Sequence, residues 1–126
     1  MSAASGLTAV GQGAVDVRDL DRAIAFYRDR LGMKFLIAVP SMAFFDLSGL
    51  RLMLNQVTDA DDQRSSVLYY KVDDLDTTFQ DLSGRGVQFS GEPMKIADME
   101  DHQLWMAFFK DSEDNTLALM AQRPLD

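Results

Sequence analysis

Val17-Arg18-Asp19-Leu20-Asp21 returns later in the chain as Val72-Asp73-Asp74-Leu75-Asp76, and this repetition decides the fold. In each copy an aspartate, Asp19 or Asp74, stands where a side-chain oxygen can accept from the free N–H groups at a helix start. Behind the first cap come Leu20, Ala23, Ile24 and Tyr27, and behind the second Leu75, Thr78, Phe79 and Leu82. Both sets follow i, i+3, i+4, i+7, which draws one largely apolar stripe down a helix. Gly32 closes the first helix, and Gly84 with Gly86 closes the second, because glycine accepts the left-handed conformation that ends helices.

Outward from these helices the order of elements is also shared. A β-prone run precedes each, residues 13–17 and 67–72. Three β-prone segments follow the first helix, at 33–39, 43–47 and 50–54, with Ser48-Gly49 as a tight hairpin turn. Segments 87–90, 104–110 and 116–120 follow the second, with 111–115 as the turn. A second repeated anchor, Met42-Ala43-Phe44-Phe45 and Met106-Ala107-Phe108-Phe109, falls in matching strands. The expected fold is α+β: two β-α-β-β-β modules, 9–57 and 66–122, in one domain, joined by a polar linker over 58–66. Two copies side by side are expected to form a curved mixed sheet with helices outside and a trough inside. Such a trough is a natural small-molecule site.

Composition narrows the partners. The 126 residues allow one domain with a proper core, and 47% hydrophobic with 25% charged residues is globular rather than disordered. Twenty acidic against 12 basic residues leave a net charge of −8, which does not draw phosphates, so neither nucleic acid nor anionic membrane is an expected partner. The absence of cysteine excludes disulfides and thiolate metal sites. The first eight residues are small and polar, without the leader of a secreted chain. The longest apolar stretches, such as 104–109, are too short to span a bilayer, and a cytoplasmic protein is expected.

The segment Val15-Asp16-Val17-Arg18-Asp19-Leu20-Asp21-Arg22-Ala23, followed by Phe26-Tyr27-Arg28-Asp29 and Leu31-Gly32, resembles the opening of the vicinal oxygen chelate superfamily. That group includes glyoxalase I, fosfomycin and bleomycin resistance proteins, extradiol dioxygenases and methylmalonyl-CoA epimerase. Val72-Asp73-Asp74-Leu75, Arg85-Gly86-Val87 and the run 111–117 resemble its second module. The resemblance covers about residues 10–120, but its motifs are caps, turns and core positions, which carry fold rather than chemistry.

The resemblance also implies where metal ligands stand in the family's enzymes. The first position lies five residues before the valine preceding the first helix, here Gln12, and the same count in the second module gives Val67. The other two lie in the last strand of each module, here Met53 and Ala118. A catalytic divalent ion needs about three protein donors of N, O or S type. Val67 and Ala118 have none, and the Met53 thioether is soft. The expectation is therefore no metal and no cofactor, with Gln12 free to bond either a ligand or neighbouring backbone.

Other side chains are candidates for the trough. Tyr69 and Lys71 alternate with Val67 and share its face, and Arg51 shares a face with Met53. Arg51, Tyr69 and Lys71 together suit an acidic or polar aromatic ligand; the competing reading puts Arg51 and Lys71 at strand ends, pointing into water. His102, the one histidine, is the candidate acid or base, or else a solvated residue of a polar loop. Trp105, the one tryptophan, either stacks on a flat ligand or fills core volume. Methionines in strands, Met53 among them, can shape a pocket or fill a core. Asp59-Ala60-Asp61-Asp62 lacks the glycine and glutamate of a calcium loop.

The leading functional expectation is a metal-independent binding protein of the glyoxalase/bleomycin-resistance type, holding a small polar or aromatic ligand. The alternatives are a glyoxalase-like lyase, isomerase or dioxygenase with an unusual site, His102 being its candidate catalytic group, and an interaction module with a closed trough. The resemblance further implies a homodimer.

Overall fold

A computed structural model describes residue 6 and residues 10–58 and 67–126. The linker expected over 58–66, including Asp59-Ala60-Asp61-Asp62, lies outside these residues except for Thr58, as does most of the N-terminal segment.

The first module runs β1 (Gln12–Val17), α1 (Leu20–Ala25), a π-helical turn (Phe26–Arg30), β2 (Lys34–Val39), β3 (Met42–Leu47) and β4 (Leu50–Gln56). The second runs β5 (Leu68–Lys71), α2 (Leu75–Gly84), β6 (Gln88–Phe89), β7 (Met94–Asp98), β8 (Gln103–Lys110) and β9 (Thr116–Arg123). Both caps form: Asp19 Oδ1 accepts from Arg22 N at 3.0 Å and Asp74 Oδ1 from Thr77 N at 3.1 Å. The Ser48-Gly49 turn has both residues at positive φ, 51° and 96°, as a tight hairpin of right-handed twist requires.

The α+β class and the two modules follow the repeat, down to side-chain register. In the first sheet Phe44 lies opposite Met53, and Met53 opposite Ala14; in the second Phe108 lies opposite Ala118, and Ala118 opposite Tyr69. Each sheet is mixed, with its first strand parallel to its last and the other pairs antiparallel.

Two local features differ from expectation. The first helix widens after Ala25 into the π turn, where Leu31 N donates to Phe26 O at 3.1 Å; the wide turn holds Phe26 and Tyr27 buried. In the second module the strand expected at 87–90 is only two residues long. The chain breaks at Ser90-Gly91-Glu92-Pro93 and pairs again as β7, where no strand was expected. Pro93 has no N–H for a ladder, so one strand of the first module becomes two pieces here.

The modules dock through one shared core. Strand order is β1-β4-β3-β2 in one sheet and β5-β9-β8-β6 in the other, with β7 also on β8, and among the described residues no strand pairing joins the two sheets. Val15, Phe45 and Leu52 from the first sheet, Phe109, Leu117 and Leu119 from the second, and Tyr27, Leu75 and Leu82 from the helical segments belong to one core. Gly13, on the buried side of β1, lies so close to Leu68 that an added Cβ would sit 3.9 Å from it. A cleft of about 550 Å³ is lined by Phe26, Asp29 and Arg30 from one module and Gln88, Lys110 and Asp111 from the other. Inner-face residues of both sheets therefore share this one core, and the outer faces turn away from it.

Polar groups lock this docking. Tyr27 Oη donates to Asp111 Oδ2 at 2.7 Å inside the core, and Asp111 Oδ1 accepts from the N–H groups of Glu113 and Asn115, both at 2.8 Å. Glu113 reaches the start of α1, where Oε1 accepts from Arg18 N and Asp19 N, each at 3.0 Å, and Oε2 from Arg22 Nε at 2.7 Å. Asn115 Nδ2 donates to Asp16 O at 3.0 Å. Tyr27, Asp111, Glu113 and Asn115 each have at least one partner in the other module, so separating the modules would break these bonds.

Candidate functional site

The residues singled out from sequence fall into two groups on two different outer faces. On the first sheet, alternation along β1 and β4 turns Gln12, Arg51 and Met53 to the same side, beside Phe44 of β3. Arg51 Nε donates to Gln12 Oε1 at 2.7 Å, and the Gln12 amide nitrogen is directed at Met53 Sδ, 3.9 Å away. The Arg51 guanidinium also lies over the Phe44 ring, 5.5 Å from its centroid. Arg51 is exposed, yet it is turned back onto the sheet rather than out into water.

On the second sheet, Tyr69, Lys71 and Ala118 share the outer face. Tyr69 packs edge-on against Phe108, with ring centroids 6.3 Å apart, and Ala118 lies buried between their strands. Val67, just before β5, is 40% exposed.

His102 and Trp105 do not join these groups. His102 sits in the β7–β8 turn with Nδ1 2.6 Å from Asp101 Oδ1, and the histidine holds that aspartate's carboxyl below the usual range. Six residues of strand, roughly 20 Å, separate it from Phe108. Trp105 shares the inner face with Ala121, donates from Nε1 to Gln103 Oε1 at 2.8 Å, and is covered by the Arg123 guanidinium 4.0 Å from its ring centroid. Its parity in the strand, two from Ala107 and four from Phe109, puts it with the core.

Sequence reasoning missed Phe44 and Phe108 as trough-side floor residues. The signal was present in the repeated Met-Ala-Phe-Phe tetrad, whose alternation sends Ala and the second Phe inward and the first Phe outward. It also missed Ile37 and Val39 of β2, which lie on the outer face beside Phe44 and Met42 and are 54% and 37% exposed.

The four positions that the resemblance assigns to metal ligands do not suit a divalent cation. Val67 and Ala118 carry no donor, Met53 offers a thioether, and the one oxygen, Gln12 Oε1, already faces a guanidinium. A second cation there would meet like charge at close range. Among the described residues, no group of three or more His, Cys, Asp or Glu is placed to hold a metal ion.

The family profile described as the Glyoxalase/Bleomycin resistance protein/Dioxygenase superfamily matches residues 10–119. The chain belongs to this superfamily. The metallothiol transferase FosB of Lysinibacillus sphaericus (strain C3-41) is 42% identical over 53 residues, which is 42% of this chain and 36% of FosB, so the match spans about a third of that relative. The uncharacterized protein YraH of Bacillus subtilis (strain 168) is 25% identical over 82% of this chain and 90% of its own length. Among solved structures, the lactoylglutathione lyase of Agrobacterium tumefaciens is similar at TM-score 0.75 and 18% identity, covering 93% of this chain and 96% of that one. TnmS3, an antibiotic binding protein from Streptomyces sp. CB03234, is similar at TM-score 0.72 and 21% identity, covering 93% and 98%. At these identities both structures show the shared fold. No helix among the described residues is long and apolar enough to cross a membrane.

Proposed function

We propose that this superfamily member is a metal-independent small-molecule-binding protein that holds a small polar or aromatic ligand on its trough faces, with 9–57 and 66–122 as its two modules. One observation carries the reading: at the corners where the superfamily's enzymes hold a metal, this chain has Met53, Val67, Ala118 and a glutamine whose oxygen is bonded to Arg51. The outer faces are otherwise built for flat ligands, with Phe44 and Met53 on one and Tyr69 and Phe108 on the other. TnmS3 supports the reading by analogy, since the same fold there belongs to an antibiotic binding protein.

The two faces belong to separate sheets, and a homodimer is part of the proposal. Ile37, Tyr69 and Met94 are 54%, 48% and 50% exposed, more open apolar surface than strand faces of a lone chain ordinarily leave. A second copy that set its second sheet beside the first sheet of this one would cover both faces and complete the trough. Two clefts among the described residues are lined by both modules, and of the candidate residues only Lys71 lines either.

The test joins metal analysis with a thermal-shift screen of flat aromatics. Protein purified without chelator is expected to carry no stoichiometric divalent ion, and ligands that bind only the folded state raise the melting temperature. A stoichiometric ion whose loss abolishes ligand binding, or no shift across a broad library, overturns the reading. The acid–base alternative has in its favour the close His102–Asp101 pair, but six residues of chain, roughly 20 Å, separate that pair from Phe108.

A further inference from the structure

Resting on the trough reading, we infer that Arg51 stands in for the missing metal as a fixed cation, and that the ligand class this site takes is a flat aromatic carboxylate.

The guanidinium is held at two places. Its Nε is committed to Gln12 Oε1 at 2.7 Å, and one of its faces covers the Phe44 ring. Gln12 is itself oriented by Met53 Sδ on the amide side. What remains is the pair of terminal nitrogens, with four N–H donors. With Nε occupied, only the end-on fork is open, and two parallel N–H donors in a plane match the two oxygens of a carboxylate.

The charge is available for a ligand. Among the described residues Arg51 forms no ion pair with a carboxylate, in a chain whose net charge is −8. Asp46, its cross-strand neighbour, uses Oδ1 to accept from Gly49 N at 3.3 Å within the hairpin turn. Next to the cation lies an apolar floor of Phe44, Met53 and Ile37, suited to an aromatic ring. A cation beside an apolar floor selects a molecule with an anionic head and a flat apolar body. Gln12 acts here as a positioning residue, since it fixes Arg51 rather than meeting the carboxylate.

The test is isothermal titration of the full chain with 2-naphthoate and its neutral isostere 2-naphthamide. The naphthoate is expected to bind at least tenfold more tightly, and added salt to weaken naphthoate alone. Arg51→Met is expected to abolish that preference, weakening naphthoate at least tenfold more than naphthamide. Arg51→Lys should lose most of it, because an ammonium presents no planar fork. Gln12→Glu should also abolish it, by putting a carboxylate on the guanidinium. Both side chains are exposed, so all three variants are expected to melt close to the parent. Equal binding of the two probes, or a preference that survives Arg51→Met, overturns the assignment of Arg51 while leaving the trough reading standing. If neither probe binds while other flat ligands shift the melting temperature, the aromatic-carboxylate class is overturned and the trough reading stands; if nothing in the broad screen binds, both fail.

Discussion

Replacing Glu113 by glutamine keeps its shape and removes its charge, at the point where the two modules are fastened. The side chain is fully buried, accepting from Arg18 N, Asp19 N and Arg22 Nε. A glutamine can keep the two backbone bonds through its oxygen, but its NH₂ then faces the Arg22 N–H, donor against donor. Removing one partner of a buried charged pair costs ~3–5 kcal/mol when the other charge is stranded. Here Arg22 is 56% exposed and can rehydrate, so the expected loss for Glu113→Gln is smaller, about 2.5 kcal/mol. With ~2.1 cal/mol/K per residue, 126 residues give an unfolding entropy of roughly 0.26 kcal/mol/K, and the melting temperature should fall by about 9 °C at neutral pH. The pH dependence is the sharper signature. Desolvation pushes the Glu113 carboxyl up, but the bonds from Arg22, Asp19 N and Arg18 N outweigh it and hold it below the ordinary 4.5. The carboxylate's contribution is thus fully present above that ordinary value and is lost as pH falls through the lowered folded one. Calorimetry of parent and variant from pH 7 downward should show the gap closing in that acid window. A gap under ~0.5 kcal/mol at pH 7, or one that stays constant into acid, refutes the idea that this charge fastens the modules.

The remaining expectations are simpler. Tyr27→Phe removes a buried donor to Asp111 and should cost about 2 kcal/mol, whereas Tyr70→Phe should be neutral or stabilising by about 1 kcal/mol, because Tyr70 Oη is buried with no partner among the described residues; equal losses in urea denaturation would contradict this. Gly49→Ala places a side chain at a φ of 96° and should cost about 1 kcal/mol by thermal melting; no loss would show that the hairpin turn relaxes freely. Ile37→Lys puts a charge on the open face of β2 and should shift sedimentation from dimer to monomer without lowering the monomer's melting temperature; an unchanged sedimentation coefficient argues against that face as the dimer contact.

Much of the architecture was legible because its causes are local. Caps at Asp19 and Asp74, the 3.6-residue apolar stripes and the Ser48-Gly49 turn each depend on a few neighbouring residues, and the repeat multiplied every signal by two. Strand parity also sufficed to put Arg51 with Met53 and Tyr69 with Lys71, and the donor chemistry of Gln12, Met53, Val67 and Ala118 could be read without coordinates.

Other features arise from distant segments meeting. That Asp111, Glu113 and Asn115 form a buried fastening, rather than an ordinary polar turn, depends on Tyr27 and on the start of α1, roughly ninety residues earlier in the chain. Strand β7 exists because β8 offers an open edge, which composition around Pro93 concealed. Trp105 reads as core before platform from sequence, and strand parity counted from buried neighbours puts it on the inner face. The sequence by itself determined which side chains share a face, because alternation along a strand is a property of the backbone. Which faces meet across the core, and that Arg51 lies on Gln12 rather than in water, only the packing of the two sheets and their side chains could decide.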